Sequence, residues 1–574
     1  METSINQDRQ TLRYRLLESS LGLSSLIFLS VIVVLSFYKP TVIALFLIVY
    51  SFLWVLKLTL NTYFTLYTYR QLDRWNSFDW QFFFDNPNSR IHTLENFRDK
   101  YDGKIDWEGK ISQDIKLLDK STVCFDEVEH ITIFSIYNEP AEVLIRSLRC
   151  IFESGYDLRK IIVFVSQEER FGDHPNELVR AAVSKEVWIN SHNIKESDLD
   201  VIYSNDHTNL EYTSELFASV ESNEKQLTLI FTQHPKDLPN EIRGKASNED
   251  WGGRQASLYI KSKGIHPEKT ILTSLDADSH LGKFFFHHLT YRFCLSPDRL
   301  QAAFQPVHNY SNNFFRTSIW PRQIAAQTTL YNMGQQAING ETPIFAIYSL
   351  SMSVLQRVDF WERQVIAEDS VLHIKCIDHF KGKFHVYPFY GVFEGDAVEG
   401  DDYLEVIKTQ YQQLQRWAWG GVEGFPYMIR RFFFDSRGKD IDLRIRLRMT
   451  FLQFTNHFFW ATSPILFTLG VYLPGTLGSF EFRSTQAAQN LALFSQYFTI
   501  LSMLFLGIFS YITIVYIGGS AEKNQPTKTY HWLLLGLSCL LSPLFFVFMG
   551  IPAIDAQIRG ITGKYLNYIV TPKK

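Results

Sequence analysis

The chain has 574 residues and a formal net charge of −4, and Asp, Glu, Lys and Arg make up 20% of it. A chain of this length exceeds one ordinary hydrophobic core, so we expect two or three structural units. The near-neutral charge excludes the basic field with which many proteins hold nucleic acid, so nucleic acid is not an expected partner. The cysteines stand singly, without a CxxC pair or metal-ligand spacing, which indicates reduced, mostly buried thiols.

The N-terminal region contains two uncharged apolar runs, at residues 21–38 and 41–56. Each is long enough to cross a hydrocarbon core of about 30 Å as a helix. Basic residues flank the pair on both sides, and the positive-inside rule then places both ends in the cytoplasm. No small-residue cleavage site follows the first run, which argues against a removed signal peptide. We predict a transmembrane hairpin over residues 1–61.

The middle of the chain is predicted to be soluble. Residues 62–126 are aromatic and polar without a clean period, and we interpret them as a cytoplasmic linker. Over residues 127–424, buried strands alternate with helices, which predicts a mainly parallel sheet covered by helices on both faces. Ligands of such sheets lie at the carboxyl ends of the strands.

The C-terminal third contains three further apolar stretches, at residues 451–473, 491–518 and 531–549. Three crossings would leave the basic tail outside the cell, and Pro543 and Gly550-Ile551-Pro552 favour a broken or in-plane third helix. We predict interfacial helices at 425–450, two transmembrane helices within 451–518, and an interfacial helix followed by a tail at 519–574. The alternative is a fifth ordinary span with an external tail.

Two motifs follow predicted strands. Tyr137-Asn138-Glu139-Pro140 offers a ring that can stack on a base and a carboxylate that can bind uracil or ribose, although the motif is also typical of a simple turn. Asp276-Ala277-Asp278 offers two carboxylates that can share Mg²⁺ or Mn²⁺ with phosphate oxygens, and its alternative is a helix cap.

Two further motifs lie nearer the C-terminus. Ala367-Glu368-Asp369-Ser370 stands before a helix and would also serve as an acidic cap. Gln413-Leu414-Gln415-Arg416-Trp417 combines an Arg suited to a diphosphate with a Trp face on which a sugar can lie. Its alternative is a helix at the level of the lipid headgroups.

In this order the four motifs resemble those of membrane-bound family 2 glycosyltransferases, the group that includes bacterial cellulose synthase, chitin synthase and hyaluronan synthase. Tyr568-Ile569-Val570-Thr571-Pro572-Lys573 is similar to the FxVTxK gating-loop motif of cellulose synthase, with Tyr in place of Phe. The resemblance covers about residues 130–574. It implies an α/β fold of the GT-A type, a Rossmann-like nucleotide-sugar domain inserted between transmembrane helices.

The resemblance also implies roles for individual residues. Tyr137 and Glu139 would bind the nucleotide, Lys245 would lie near the donor, and Asp276 and Asp278 would hold the diphosphate and the metal, with Asp278 as the direct ligand of Mg²⁺ or Mn²⁺. The general base would be Asp369. The remaining contacts, to the diphosphate, the acceptor sugar and the closed donor site, would come from Gln413, Arg416, Trp417, Thr571 and Lys573.

The implied reaction is an inverting transfer from a nucleotide diphosphate donor, with a UDP-sugar favoured, to a growing glycan at the cytoplasmic face of a membrane. The second strand ends in Gln167-Glu168-Glu169 where the family usually has an Asp pair, so Glu168 is the candidate for base recognition and the base stays open. The residues facing the acceptor, 345–349, also depart from the family. Two alternatives remain, a non-processive transferase onto a lipid-linked acceptor and an inactive membrane scaffold that binds a nucleotide sugar.

Overall fold

The structure, a computed structural model, describes residues 9, 11–101, 110–120, 125–137, 139–171, 199–203, 216–222, 225–236, 238–310, 312–314, 316–337, 343–491, 493, 494, 496, 497, 500, 501, 504 and 542–566. Its α-helices are, in chain order, α1 (Leu12–Tyr38), α2 (Pro40–Asn76), α3 (Trp80–Asp85), α4 (Arg90–Lys100), α5 (Lys110–Lys120), α6 (Ala141–Phe152), α7 (Lys245–Lys263), α8 (Phe285–Cys294), α9 (Ile319–Gln336), α10 (Met352–Arg357), α11 (Glu368–His379), α12 (Tyr403–Ile429), α13 (Leu443–Thr468), α14 (Leu473–Leu477), α15 (Phe480–Arg483) and α16 (Ser542–Thr562). Its strands are β1 (Glu129–Ile136), β2 (Ile161–Glu168), β3 (Leu199–Tyr203), β4 (Leu216–Ser222), β5 (Lys225–His234), β6 (Thr270–Asp276), β7 (His280–Leu281), β8 (Ala302–Asn309), β9 (Tyr348–Ser351) and β10 (His385–Glu394).

The strands form one mixed sheet in the order β3-β4-β5-β2-β1-β6-β9-β8-β10-β7. The four central strands, β5, β2, β1 and β6, are parallel, with Ile133 of β1 beside Phe164 of β2 and Ser274 of β6. Antiparallel pairs flank them, and β8 and β10 form one further parallel pair, so the expectation of a mainly parallel sheet holds for the centre and for that pair. The short connection between β4 and β5 is one cause of the antiparallel pairing. Only two residues separate these strands, whereas a parallel pair needs a long crossover connection.

Hydrophobic cores lie on both faces of the sheet. Side chains alternate along a strand, so Phe134 enters the core beneath α6 and α8 while Ile133 enters the core beneath α7 and α11. Both faces of the central strands are therefore covered. A mixed α/β sheet with long apolar helices at both ends of the chain confirms the expected GT-A-like fold class.

Residues 62–126 differ from the linker that we expected. The described part of this segment is helical, from the second half of α2 through α3, α4 and α5. Many of its aromatic residues are buried in the core beside α8, where the Trp75 and Trp80 rings stack at 5.5 Å and the Trp80 ring lies 4.7 Å from the His288 ring. Short helices that bury large rings at changing angles leave no regular hydrophobic period, which explains why the sequence showed none.

Helix α2 is continuous from its apolar first half into the α/β domain. There its hydroxyl groups bind carbonyl groups of α9: Thr65 Oγ1 donates to Leu330 O at 3.2 Å and Thr68 Oγ1 donates to Met333 O at 2.7 Å. The Asn61 carboxamide lies so close to Gly334 of α9 that a Cβ there would approach its Oδ1 to 2.1 Å. One unbroken helix thus connects the apolar helices to the sheet domain.

In the described ranges, three helices are long and apolar enough to cross a membrane: α1, α2 and Leu544–Thr562 of α16. A fourth is possible if α13 and Gly470–Leu477, which meet at 46°, form one span. Tyr50 of α2 joins this group to α13 through a hydrogen bond of 2.7 Å between its hydroxyl group and Ser463 Oγ. The predicted stretch 491–518 lies largely outside the described residues, as does 531–541.

Helix α16 corrects one prediction. We expected a broken or in-plane helix at Gly550-Ile551-Pro552, and the helix is unbroken there, since it includes Pro552 and continues to Thr562. Its interfacial placement stays a prediction. It is supported along its length by neighbouring helices: Gly550 lies against Pro464, and Gln557 Nε2 donates to His457 O at 3.1 Å. Contacts of this kind offset the backbone hydrogen bond that a proline removes.

Candidate active site

An open pocket lies at the carboxyl ends of β1, β2 and β6. It is where a ligand of an α/β sheet is expected. The pocket brings together most of the predicted site residues, which come from separate segments of the chain: Tyr137, Glu139, Lys245, Asp276, Asp278, Gln413, Arg416 and Trp417.

Tyr137 and Glu139 form the wall of the pocket after β1. The Tyr137 N–H donates to Glu139 Oε2 at 2.7 Å, which closes the turn. The Arg243 guanidinium lies 4.9 Å from the centre of the Tyr137 ring, a cation–π contact that orients the ring. Nearby, burial raises the pKa of Glu168, which also lines the pocket.

Lys245, the first residue of α7, lies among three carboxylates. Its Nζ is 2.7 Å from Asp276 Oδ1, 3.3 Å from Glu368 Oε1 and 3.5 Å from Glu249 Oε1. Burial raises the pKa values of Glu249 and Glu368, while the Lys245 ammonium opposes that effect. Gly244, just before α7, has a φ of 152°, a conformation that favours glycine and lets the helix begin at the pocket.

Asp276 and Asp278 present oxygen atoms of the kind that Mg²⁺ and Mn²⁺ bind, so these side chains fit a divalent metal. Asp278 is buried, and its Oδ2 accepts from the Asp396 N–H at 3.1 Å. Within the described residues, no group of three or more His, Cys, Asp or Glu side chains is arranged to hold a metal ion. A cation at Asp276 and Asp278 would therefore complete its shell with phosphate or water oxygens.

Asp369, the predicted base, is half-buried at the start of α11. Its Oδ2 accepts from the Ala346 N–H at 2.9 Å, and its Oδ1 accepts from the Ser370 N–H at 2.6 Å. Ala346 itself lines the pocket and has a φ of 50°, an uncommon left-handed conformation for a residue other than glycine. The backbone thus orients the Asp369 carboxylate just behind the pocket wall.

Helix α12 carries Gln413, Arg416 and Trp417 on the side that lines the pocket. The rings of Trp417 and Tyr310 lie 6.4 Å apart at 39°, so two aromatic side chains face this end of the pocket. From its other side, α12 is joined to α16 by Asp555, which accepts hydrogen bonds from Gln415 and from the Tyr411 hydroxyl group.

Residues 271–549 match the family model described as glycosyl transferase family group 2. The chain carries a glycosyltransferase family 2 domain. The match includes Asp276, Asp278, Asp369 and Arg416. No curated protein matches the chain significantly.

Two solved structures show weak similarity to this chain. One is the mannosyltransferase PcManGT from Pyrobaculum calidifontis in complex with GDP-Man and Mn²⁺, at 16% identity and a TM-score of 0.36, covering 79% of this chain and 94% of that one. The other is S. aureus TarS 1–349 in complex with UDP-GlcNAc, at 11% identity and a TM-score of 0.27, covering 76% and 91%. TM-scores this low assign no ligand and no residue role here.

Four residues at the pocket have no role in the sequence analysis. Tyr310 and Asp396 line the pocket, while Glu249 and Glu368 lie behind its lining and pair with Lys245. Glu249 follows Lys245 by four residues, a helical spacing that would have indicated the ion pair. Asp396 follows β10 closely, and an acidic residue after a strand is the signal that led to Asp276. Tyr310 follows β8 in the same way.

Two predicted residues cannot be placed. Thr571 and Lys573 lie outside the described residues, and their role stays a prediction from the sequence. Three of the predicted thiols lie in the described residues, where Cys150, Cys294 and Cys376 form no disulfide and the last two are buried.

Proposed function

We propose that this glycosyltransferase is metal-dependent and inverting, and that it moves a sugar from a nucleotide diphosphate donor to a growing glycan at the cytoplasmic face of a membrane. A UDP-sugar is the favoured donor. One observation carries the proposal: a single pocket combines the carboxylates Asp276 and Asp278, the cations Lys245 and Arg416, and the ring of Trp417. These groups match, in turn, a metal, a diphosphate and a sugar.

The donor would lie across the strand ends. Its nucleoside would meet the Tyr137 ring and Glu139, while Lys245 and Arg416 offset the negative charge of its diphosphate. Asp278 and Asp276 would hold Mg²⁺ or Mn²⁺, which would supply Lewis-acid neutralisation of the charge on the departing diphosphate.

The acceptor would approach from the side of Trp417 and Tyr310, whose rings provide apolar faces for a sugar. Asp369 takes the proton of the acceptor hydroxyl, whose oxygen forms a bond to the anomeric carbon. The bond from that carbon to the diphosphate breaks on the opposite face, and the diphosphate leaves with the electron pair. An α-linked donor then gives a β-linked product.

The basic residues that flank α1 and α2 support a cytoplasmic location for the domain that follows them. The donor is supplied in the same compartment, because nucleotide sugars are charged and do not cross the bilayer unaided. The product would lie beside the apolar helices, since α12 contacts α16 directly.

A release assay tests the proposal. Purified full-length protein in nanodiscs would be given UDP- and GDP-sugars with Mg²⁺ or Mn²⁺, and free nucleotide diphosphate and product size would be measured. We expect cation-dependent release with one donor and a β-linked oligomer. Asp402, the exposed N-cap residue of α12, lies outside the pocket, so Asp402→Asn is the matched control for Asp→Asn variants of the pocket.

Retention of the donor's α configuration would refute the single displacement. Full release in excess chelator would refute the metal. A lipid-linked product extended by a single sugar would refute chain extension and support the non-processive alternative.

A further inference from the structure

Glu423 is a buried carboxylate on α12, outside the pocket, with 3% of its surface exposed. Its Oε2 accepts two hydrogen bonds from the main chain, from the Ile366 N–H at 2.8 Å and the Ala367 N–H at 3.0 Å. These residues immediately precede α11, which begins with Glu368 and Asp369. One carboxylate oxygen therefore fixes the backbone that carries the proposed base.

The other oxygen of Glu423 is bound by a residue from the far end of the chain. Arg9, which precedes α1, places its guanidinium Nη2 3.1 Å from Glu423 Oε1. Both side chains are largely buried. A buried carboxylate is costly unless it is paired and hydrogen-bonded, and here backbone N–H groups and an arginine share that task.

Arg9 is in turn held in place by Tyr565, which lies just after the C-terminal end of α16. Its guanidinium lies 4.4 Å from the centre of the Tyr565 ring, and the Tyr565 hydroxyl donates to Glu18 Oε2 at 2.9 Å. Arg15 Nη2 donates to the carbonyl oxygens of Gly560 and Ile561, at 3.0 and 3.1 Å, and so caps the C-terminus of α16. The contacts form a connected network from the two chain ends to the start of α11.

We propose that Glu423 is a positioning residue for Asp369 and that Arg9 holds the Glu423 carboxylate in place. Turnover in the α/β domain then depends on the segment preceding α1. The contact between Glu423 and the backbone stands independently of the activity, whereas its effect on turnover rests on the proposed function. Charge-assisted hydrogen bonds are short and directional, and a shift of about 1 Å at a reacting group can lower a rate about 10²-fold.

The test compares Glu423→Ala, Glu423→Gln and Arg9→Ala with Arg13→Ala. Arg13 is the matched control, because it lies one turn from Arg9, is exposed and contacts the Phe434 ring instead. We expect kcat to fall about 10²-fold in Glu423→Ala. We expect a fall of about tenfold in Glu423→Gln, whose amide oxygen still accepts from the backbone, and in Arg9→Ala. The donor KM of Glu423→Gln should stay near wild type, and adding Arg9→Ala to Glu423→Ala should lower kcat little further.

Hydrogen exchange supplies a readout that needs no activity. In Glu423→Ala, the amides of Ile366 and Ala367 should exchange at least about tenfold faster, while those of β1 stay protected. Unchanged exchange would overturn the proposal even in a chain that transfers no sugar. Faster exchange with a wild-type kcat, or with kcat and donor affinity falling together, would overturn the positioning role. Failure of the wild-type chain to use any donor would instead count against the proposed function.

Discussion

Gly421 of α12 faces His457 of α13 at a distance that leaves no room for a side chain. A Cβ at Gly421 would lie 2.3 Å from His457 Cγ and 2.5 Å from its Nδ1. Gly420, one residue earlier, has space, because its nearest neighbours would be the Ala367 Cβ and the Ser370 Oγ at 3.4 Å. Both glycines lie in the same helix, so alanine brings both the same gain in helix propensity of roughly 0.5–1 kcal/mol.

Since the gain in helix propensity is the same in both variants, the difference between their free energies of unfolding measures the clash alone. Overpacking of a filled core costs about 1–3 kcal/mol, so Gly421→Ala should be less stable than Gly420→Ala by that amount. Gly421 follows Trp417 by one turn of α12, and a displaced helix should also lower kcat. Thermal unfolding in nanodiscs measures the first effect and the release assay measures the second. Equal Tm values for the two variants would refute the close contact of α12 with α13.

Three further outcomes are expected in the same assays. Asp278→Asn should abolish turnover and the response to added Mg²⁺ or Mn²⁺, whereas persistent cation-dependent release would exclude Asp278 as the ligand. Asp369→Asn should lower kcat by about 10² while nucleotide diphosphate still binds, and a proportional loss of binding would make Asp369 a donor contact instead of the base. Burial raises the pKa of Glu368 to about 8, so the folded state binds this proton more tightly than the unfolded state does. The protonated Glu368 therefore contributes fully to stability below the ordinary carboxyl pKa, and this contribution is lost as the pH rises through about 8. The Tm of the wild type should therefore fall more steeply than that of Glu368→Gln between about pH 6 and about pH 8, and parallel curves would contradict the shift.

The sequence predicted the parts of the site that stand at strand ends. Tyr137 and Asp276 follow long apolar strands, and the carboxyl ends of neighbouring parallel strands meet at one edge of a sheet, so their meeting in one pocket could be anticipated. The site residues of α12 could be predicted from the order of the four motifs along the chain. Their catalytic roles stay predictions.

Other features depend on contacts that no local pattern encodes. Glu423 binds residues 57 and 414 positions away, so nothing near it in sequence indicates its partners. Trp80 is buried against His288, and short helices that bury such rings at changing angles have no regular hydrophobic period, so the sequence did not indicate the helices after Asn76. The continuation of α16 through Pro552 depends on packing against Pro464, which overrides a local preference.

The continuous helix α2 sets the spacing between its own apolar first half and the sheet domain. Each helical residue rises about 1.5 Å, so the part from Thr62 to Asn76 is roughly 20 Å long and lies beside the sheet domain over that length. A continuous helix connects the two parts as a rod whose length is set by its number of residues. The distance along α2 from its apolar first half to the sheet domain is therefore encoded in the length of the helix. Each residue added to the rod would turn the domain by about 100° as well as lift it, so the length of α2 fixes which way the pocket faces.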